Sequence, residues 1–183
     1  GFVGGYEIET LALGVPFMAA FLDPGGWGRE FATALDSYAN MAGMWLVGED
    51  MPQEKNGITL SATKDKHGMP VADVHFDDHP NDIAMRNHAY KQGQAIYQAV
   101  GATRTFPTPP YPSTHNLGTN RMSEKPADGV VDRWGRTHDV KNLYVSDGSV
   151  FTTGGAENPT LTIVALAIRQ ADHIAREMAA GNL

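Results

Sequence analysis

Three short stretches of this sequence hold side chains that could do chemistry together. In "STHNLGTNRM", His115 precedes Gly118 and Thr119. An imidazole titrates near pH 6.5, so a loop histidine beside glycine can serve as a base at neutral pH, although a merely solvated histidine reads the same way. In "NLYVSDGSVFTTGG", an apolar strand is expected to run into Asp147-Gly148-Ser149. An acid and a glycine at a strand end can approach a phosphate or ribose closely, and they can equally make an ordinary Asp-Gly turn. In "GGAENPTLTIVALAIRQADHIAREM", Asn158 reads as a helix N-cap and Pro159 as the first helical residue. Leu161, Ile163, Val164, Leu166 and Ile168 make the first turns apolar on nearly every face. Such a helix is predicted to start inside the protein, where its free N–H groups need partners. A buried helix start, with about half a positive charge, suits an anion or a developing anion.

Other clusters carry less. "HFDDHPNDIAMRNH" collects His75, Asp77, Asp78, His79, Asp82 and His88. These straddle a strand end, a turn and a helix, so no metal is assigned to them and a solvated acidic loop is expected. "PGGWGRE" has Phe31 where G-x-G-x-x-G requires its third glycine, and no strand leads into it. The chain has no cysteine, which removes disulfides, thiolate metal sites and a Cys nucleophile. A net charge of -7 over 183 residues, without a Lys/Arg cluster, argues against a nucleic-acid partner. The longest apolar runs fall short of the roughly 20 residues of a membrane-spanning helix. A soluble protein, cytoplasmic or periplasmic, is expected.

The elements that must position these residues follow from local pattern. Residues 11–22 read as a strand or a broken helix. Phe31, Leu35 and Tyr38 recur at helical spacing between about Trp27 and Asn40, and "GMWLVGEDMP" reads as a strand closed by Pro52. "GITLSATKDKHGMPVADVHF" alternates Ile58, Leu60 and Ala62 with threonine and serine, then Ala72, Val74 and Phe76 with polar or outward residues. This predicts a hairpin turning at Asp65 to Gly68, half-buried and with one face free to line a cavity. Residues 80–100 predict a helix opened by Pro80 and stopped by Gly101, with Met85, Ala89, Gly93, Ile96 and Val100 as its apolar stripe. The Pro-rich "FPTPPYPS" is extended and delivers the chain to His115. A second hairpin is expected through "DRWGRTHDVKNLYVSDG", before the final helix.

Taken in order, His115-x-x-Gly118-Thr119-x-x-Met122, "VVD", "NLYVSDGSVF" and "NPTLTIVALAIRQADHI" resemble the C-terminal region of glucose–methanol–choline (GMC) flavin oxidoreductases. The resemblance is tight over 112–178 and looser over 43–105. It implies that His115 and Asn158 are the catalytic pair facing a flavin, that Asp147 and Gly148 contact FAD, and that Pro159 and Thr160 lie against the N1–C2=O edge of the ring. The His/Asn form of this pair is similar to that of pyranose oxidases, choline oxidases and bacterial sugar or gluconate dehydrogenases. The family's G-x-G-x-x-G fingerprint and its ribose-binding acid are absent from this sequence. The resemblance therefore implies the C-terminal portion of a larger flavoprotein, inactive alone, whose partner is the flavin-binding N-terminal portion of the same protein.

The expected fold class is α+β: an antiparallel substrate-side sheet with packed helices, plus C-terminal strands and a helix that complete an FAD-binding domain. Residues 1–111 are expected on the substrate side, with 1–42 not placed by the resemblance. Residues 112–183 are expected to form the flavin-facing segment. The implied activity is FAD-dependent oxidation of the CH–OH group of a small alcohol, sugar, polyol or sugar acid by hydride transfer to flavin N5, with the electron acceptor open. The alternative is a binding or interaction domain that does no catalysis without the flavin-binding part.

Overall fold

The structure, a computed structural model, describes residues 1–11, 26–110 and 115–183. The expected strand or broken helix at 11–22 lies outside the described residues beyond Leu11, as do the first two residues of "PGGWGRE" and the end of the Pro-rich run. Among the described residues the chain is α+β, with two small antiparallel sheets and three α-helices. It divides into two compact units, Gly1–Gly48 with Ile83–Pro112, and Glu49–Asp82 with Ser113–Leu183.

In the first unit, β1 (Tyr6–Leu11) pairs antiparallel with β2 (Gly43–Gly48), from Tyr6 opposite Gly48 to Leu11 opposite Gly43. Between them lie α1 (Gly28–Asp36) and a single 3-10 turn (Tyr38–Asn40), so the expected helix from Trp27 to Asn40 forms with a break at Ser37. The long helix α2 (Pro80–Ala99) begins at its proline as expected. Its residues Met85, Ala89 and Gly93 are buried as the stripe predicts. A Cβ at Gly48 would meet the Met85 Cε at 2.5 Å, and one at Gly93 would meet Leu46 Cδ2 at 3.7 Å. The helix thus lies directly on β2, and glycine at 48 lets the Met85 side chain in. Ile96 and Val100 leave the stripe and are exposed. Gly101 ends the helix at φ +84, with Ala102 N donating back to Tyr97 O at 3.0 Å. That 6→1 bond satisfies a carbonyl of the last turn, and only glycine enters this conformation without strain. Tyr90 Oη donates to Thr108 O at 2.9 Å and ties the extended Pro-rich run to α2.

In the second unit, β3 (Gly57–Lys64) and β4 (Pro70–His75) form the expected hairpin. Its turn is closed by Gly68 N to Asp65 O, while Asp65 Oδ1 accepts from His67 N and Met69 N. The pairing of Ile58 with Val74 and Leu60 with Ala72 puts these four side chains on one face. The expectation of a half-buried sheet lining a cavity is not met: Leu60 is 77% and Val74 67% exposed. A two-stranded ribbon cannot cover its own face, and burial needs a further layer that the described residues do not supply.

The expected second hairpin is reduced to one antiparallel bridge, Arg136 with Tyr144, flanked by Thr137 N to Leu143 O and Val145 N to Gly135 O, and the strand running into Asp147 extends no further. Residues 122–145 form a compact loop held by single bridges, Val131 with Met122 and with Thr137, and Arg136 with Tyr144. Val131 at its centre is fully buried. The apolar "NLYV" makes one bridge where an extended ladder was expected, because a strand needs a neighbour along its length. After a one-turn 3-10 segment at Gly148–Val150 comes α3 (Thr160–Ala179). No described helix is long and apolar enough to cross a membrane.

Candidate functional site

All three motifs singled out by sequence lie in the second unit, and their neighbouring residues converge on Gly148. Gly148 is buried. A Cβ built on it would fall 2.8 Å from Leu117 Cδ2 and 3.2 Å from Ile163 Cδ1. Leu117 belongs to the His115 loop and Ile163 to the first turn of α3, so any larger residue at 148 would push the two apart. Leu117 also reaches a Cβ at Gly154 at 3.4 Å. Backbone bonds complete the assembly: Asn120 N donates to Ser149 O at 3.0 Å and Met122 N to Val150 O at 2.9 Å. Gly118, at φ +88, turns the His115 loop onto this segment, where a Cβ would touch Phe151 O at 3.5 Å.

His115 itself is exposed at the start of this loop. Asp147 is exposed and caps the 3-10 turn, its Oδ1 accepting from Ser149 N at 2.8 Å and from Ser149 Oγ. At the start of α3, Pro159 has helical angles (φ -82, ψ -4) and its carbonyl accepts the first helical bond from Ile163 N at 3.0 Å. Pro159 is half-buried, while Asn158 and Thr160 are exposed. The expected Asn158 cap is not made among the described residues: Pro159 holds the N-cap position, and its ring cannot accept a bond from the helix start. The helix begins one residue later than expected, which leaves the Asn158 amide unused by the helix and the first N–H groups without a carbonyl one turn back.

The expected burial of this helix start is likewise not met. Leu161 is 84%, Val164 49% and Ile168 61% exposed, whereas Ile163 and Leu166 turn inward. The apolar residues on every face are real, but the described residues cover one face only.

Behind the site, α3 is held by contacts that periodicity could not announce. Gln170, 8% exposed, donates from one amide nitrogen to Trp134 O and Val145 O, both at 2.9 Å. Trp134 stacks on His173 with ring centroids 4.3 Å apart and 13° between planes, and the Arg169 guanidinium lies 4.3 Å from the indole centroid. Arg169 and His173 sit one turn apart on the same helix face, so the indole packs against both. A shallow recess lined by Trp134, Gly135, Asp147, Ile163, Arg169 and Gln170, among others, opens beside Asp147.

The acidic stretch around the hairpin is occupied by structural bonds. Asp77 Oδ2 pairs with Lys55 Nζ at 3.0 Å and with His75 Nε2 at 3.3 Å. Asp82 accepts from Met51 N at 3.1 Å and from His79 N at 3.2 Å. Among the described residues no three His, Asp or Glu side chains converge on a common point.

A family model described as GMC oxidoreductase matches residues 52–167. The 2-methyl-1,2-propanediol dehydrogenase of Mycolicibacterium austroafricanum is 39% identical over 96% of this chain and 34% of its own length. The large subunit of fructose dehydrogenase from Gluconobacter japonicus is 34% identical over 84% of this chain and 27% of its own. The gluconate 2-dehydrogenase flavoprotein of Pantoea cypripedii is 29% identical over 91% of this chain and 29% of its own. The chain spans about a third of the length of these relatives.

Proposed function

Since the chain belongs to the GMC oxidoreductase family, we propose that it is the C-terminal part of an FAD-dependent enzyme that oxidises a CH–OH group of a small alcohol, polyol or sugar. The observation that carries this reading is the convergence of the His115 loop, Asp147-Gly148 and the start of α3 around one buried glycine. The donor set fits the cofactor. Asp147 offers an outward carboxylate oxygen to a hydroxyl, and the uncapped start of α3 offers N–H groups and a positive dipole end to an electron-rich ring edge. In this reading Asp147, Gly148, Pro159 and Thr160 hold FAD, which when bound supplies the hydride acceptor at N5.

The chain's own residues do the rest. His115 takes the hydroxyl proton of the alcohol, a role that typically contributes about 10²–10⁴-fold. Asn158, whose amide is not spent on capping, donates a hydrogen bond to the same oxygen and aims the carbinol C–H. Residues 1–111 contribute the substrate side and 112–183 the flavin side, while the missing partner is the flavin-binding portion of the longer protein. The relatives' names, a diol dehydrogenase, a fructose dehydrogenase and a gluconate dehydrogenase, support small polyhydroxylated substrates.

The test is His115→Ala in the full-length protein. The variant keeps its flavin absorbance and loses reduction of the flavin by substrate in stopped-flow measurements. Unchanged reduction kinetics would remove His115 from catalysis.

A further inference from the structure

We propose that Asn120 is a positioning residue that fixes the Asp147 carboxylate through Ser149, so that one carboxylate oxygen is presented to a hydroxyl of the cofactor. This rests on the reading that Asp147 meets FAD. Asn120 Nδ2 lies 3.0 Å from Ser149 Oγ, and Ser149 Oγ donates to Asp147 Oδ1. Direction along this chain is fixed by chemistry. A carboxylate only accepts, Ser149 has one hydroxyl proton and gives it to Oδ1, so Asn120 can face the Ser149 oxygen only with its NH₂. A second donor, Ser149 N at 2.8 Å, also binds Oδ1. Both donors therefore sit on the same oxygen, and Oδ2 receives none among the described residues while Asp147 remains exposed.

The arrangement orders an exposed acid before the ligand arrives. A free Asp must give up rotamer freedom on binding, and a pre-set one does not. Asn120 is anchored as well, its backbone N bonded to Ser149 O at 3.0 Å, five residues after His115. The loop that carries the base and the acid that meets the cofactor are thereby set by one residue. The backbone turn does not depend on that residue, because Asp147 Oδ1 and Ser149 N close it by themselves.

Titration of the full-length apoprotein with FAD, followed by quenching of flavin fluorescence, tests the relay. Asn120→Ala and Ser149→Ala should each raise the FAD Kd on the order of two- to tenfold, the weight of one net hydrogen bond. The double variant should be no weaker than the weaker single one, because both remove the same chain of bonds. Asn120→Leu, of similar size but without a donor, should match Asn120→Ala. Losses that multiply in the double variant, or an Asn120→Leu variant with wild-type Kd, overturn the relay. Asp147→Asn serves as the control on the premise. If it leaves the Kd unchanged, Asp147 does not meet FAD and the relay falls with it; if it weakens FAD while Asn120→Ala does not, only the relay falls. Circular dichroism and the melting temperature of each variant verify that it is folded.

Discussion

At Gln170 a single amide nitrogen serves two carbonyls, Trp134 O and Val145 O, in a part of the chain where little water reaches. Gly135 makes this possible. It holds φ +75, and a Cβ there would fall 2.1 Å from the Gln170 amide nitrogen and 2.7 Å from Val145 O. The carbonyl of Val145 lies two residues before Asp147, so this bond fixes α3 to the segment that carries the acid. Replacing Gln170 by Leu keeps the bulk and strands both carbonyls. The expected loss is about 1–3 kcal/mol, read as a lower denaturant midpoint with unchanged slope. Gln170→Glu should destabilise more than Gln170→Leu at neutral pH, because an anion would face two carbonyl oxygens. Equal midpoints for wild type and Gln170→Leu would show that water replaces the amide without cost.

Among the elements, the hairpin shows how an exposed ribbon is tied down at its base. Lys55 Nζ pairs with Asp77, and Asn56 exchanges bonds with the Asp77 backbone, its Oδ1 accepting from Asp77 N at 3.0 Å and its Nδ2 donating to Asp77 O at 3.1 Å. Lys55, and to a smaller degree His75, hold the Asp77 carboxyl below the usual carboxylate range. A carboxyl whose folded value is depressed contributes stability above its unfolded value and loses it as pH falls through the folded one. The Lys55–Asp77 contribution is therefore intact at neutral pH and disappears only below the ordinary carboxylate range. Since the pair is exposed, the effect is small and salt-sensitive. Asp77→Asn should flatten the acid limb of the stability curve at low ionic strength and change nothing at high salt; a salt-independent difference would point to the backbone instead. The hairpin and α2 were legible in the sequence because alternation, a Pro start and a Gly stop are local signals. The extended "NLYV" strand and the buried start of α3 that the same signals predict do not form, because they require neighbours along their length that the described residues do not provide. The site divides in the same way. His115, Asp147 and Asn158 stood out by motif, whereas Asn120, Gln170 and Trp134 act across 25 to 36 residues of sequence or through one shared hydroxyl and leave no periodic mark.

For the whole molecule, the apolar surface is the part that asks for an explanation. Leu161, Val164 and Ile168 recur along one flank of α3, and all are exposed together with the Ile58, Leu60 and Val74 face of the hairpin. An apolar stripe beside the start of a helix is a poor surface for a free protein, and a contiguous patch of this kind marks an interaction site or an aggregation liability. The family model describes the C-terminal part of a larger protein, and the relatives extend about three times as far as this chain. In the reading proposed here the α3 flank is buried in the full-length enzyme, where it completes the flavin-binding domain and brings the helix start to the ring. That makes the sign of one substitution depend on which molecule carries it. In the chain alone, Leu161→Ser should lower binding of a hydrophobic dye and leave the melting temperature unchanged, since the side chain contacts mainly water. In the full-length enzyme the same substitution should cost about 2–3 kcal/mol, the weight of burying a leucine, and weaken FAD retention with it. A loss of stability in the isolated chain, or none in the full-length enzyme, would mean that the flank stays exposed and that the helix start is aimed by the contacts at Gln170 and Gly148 alone.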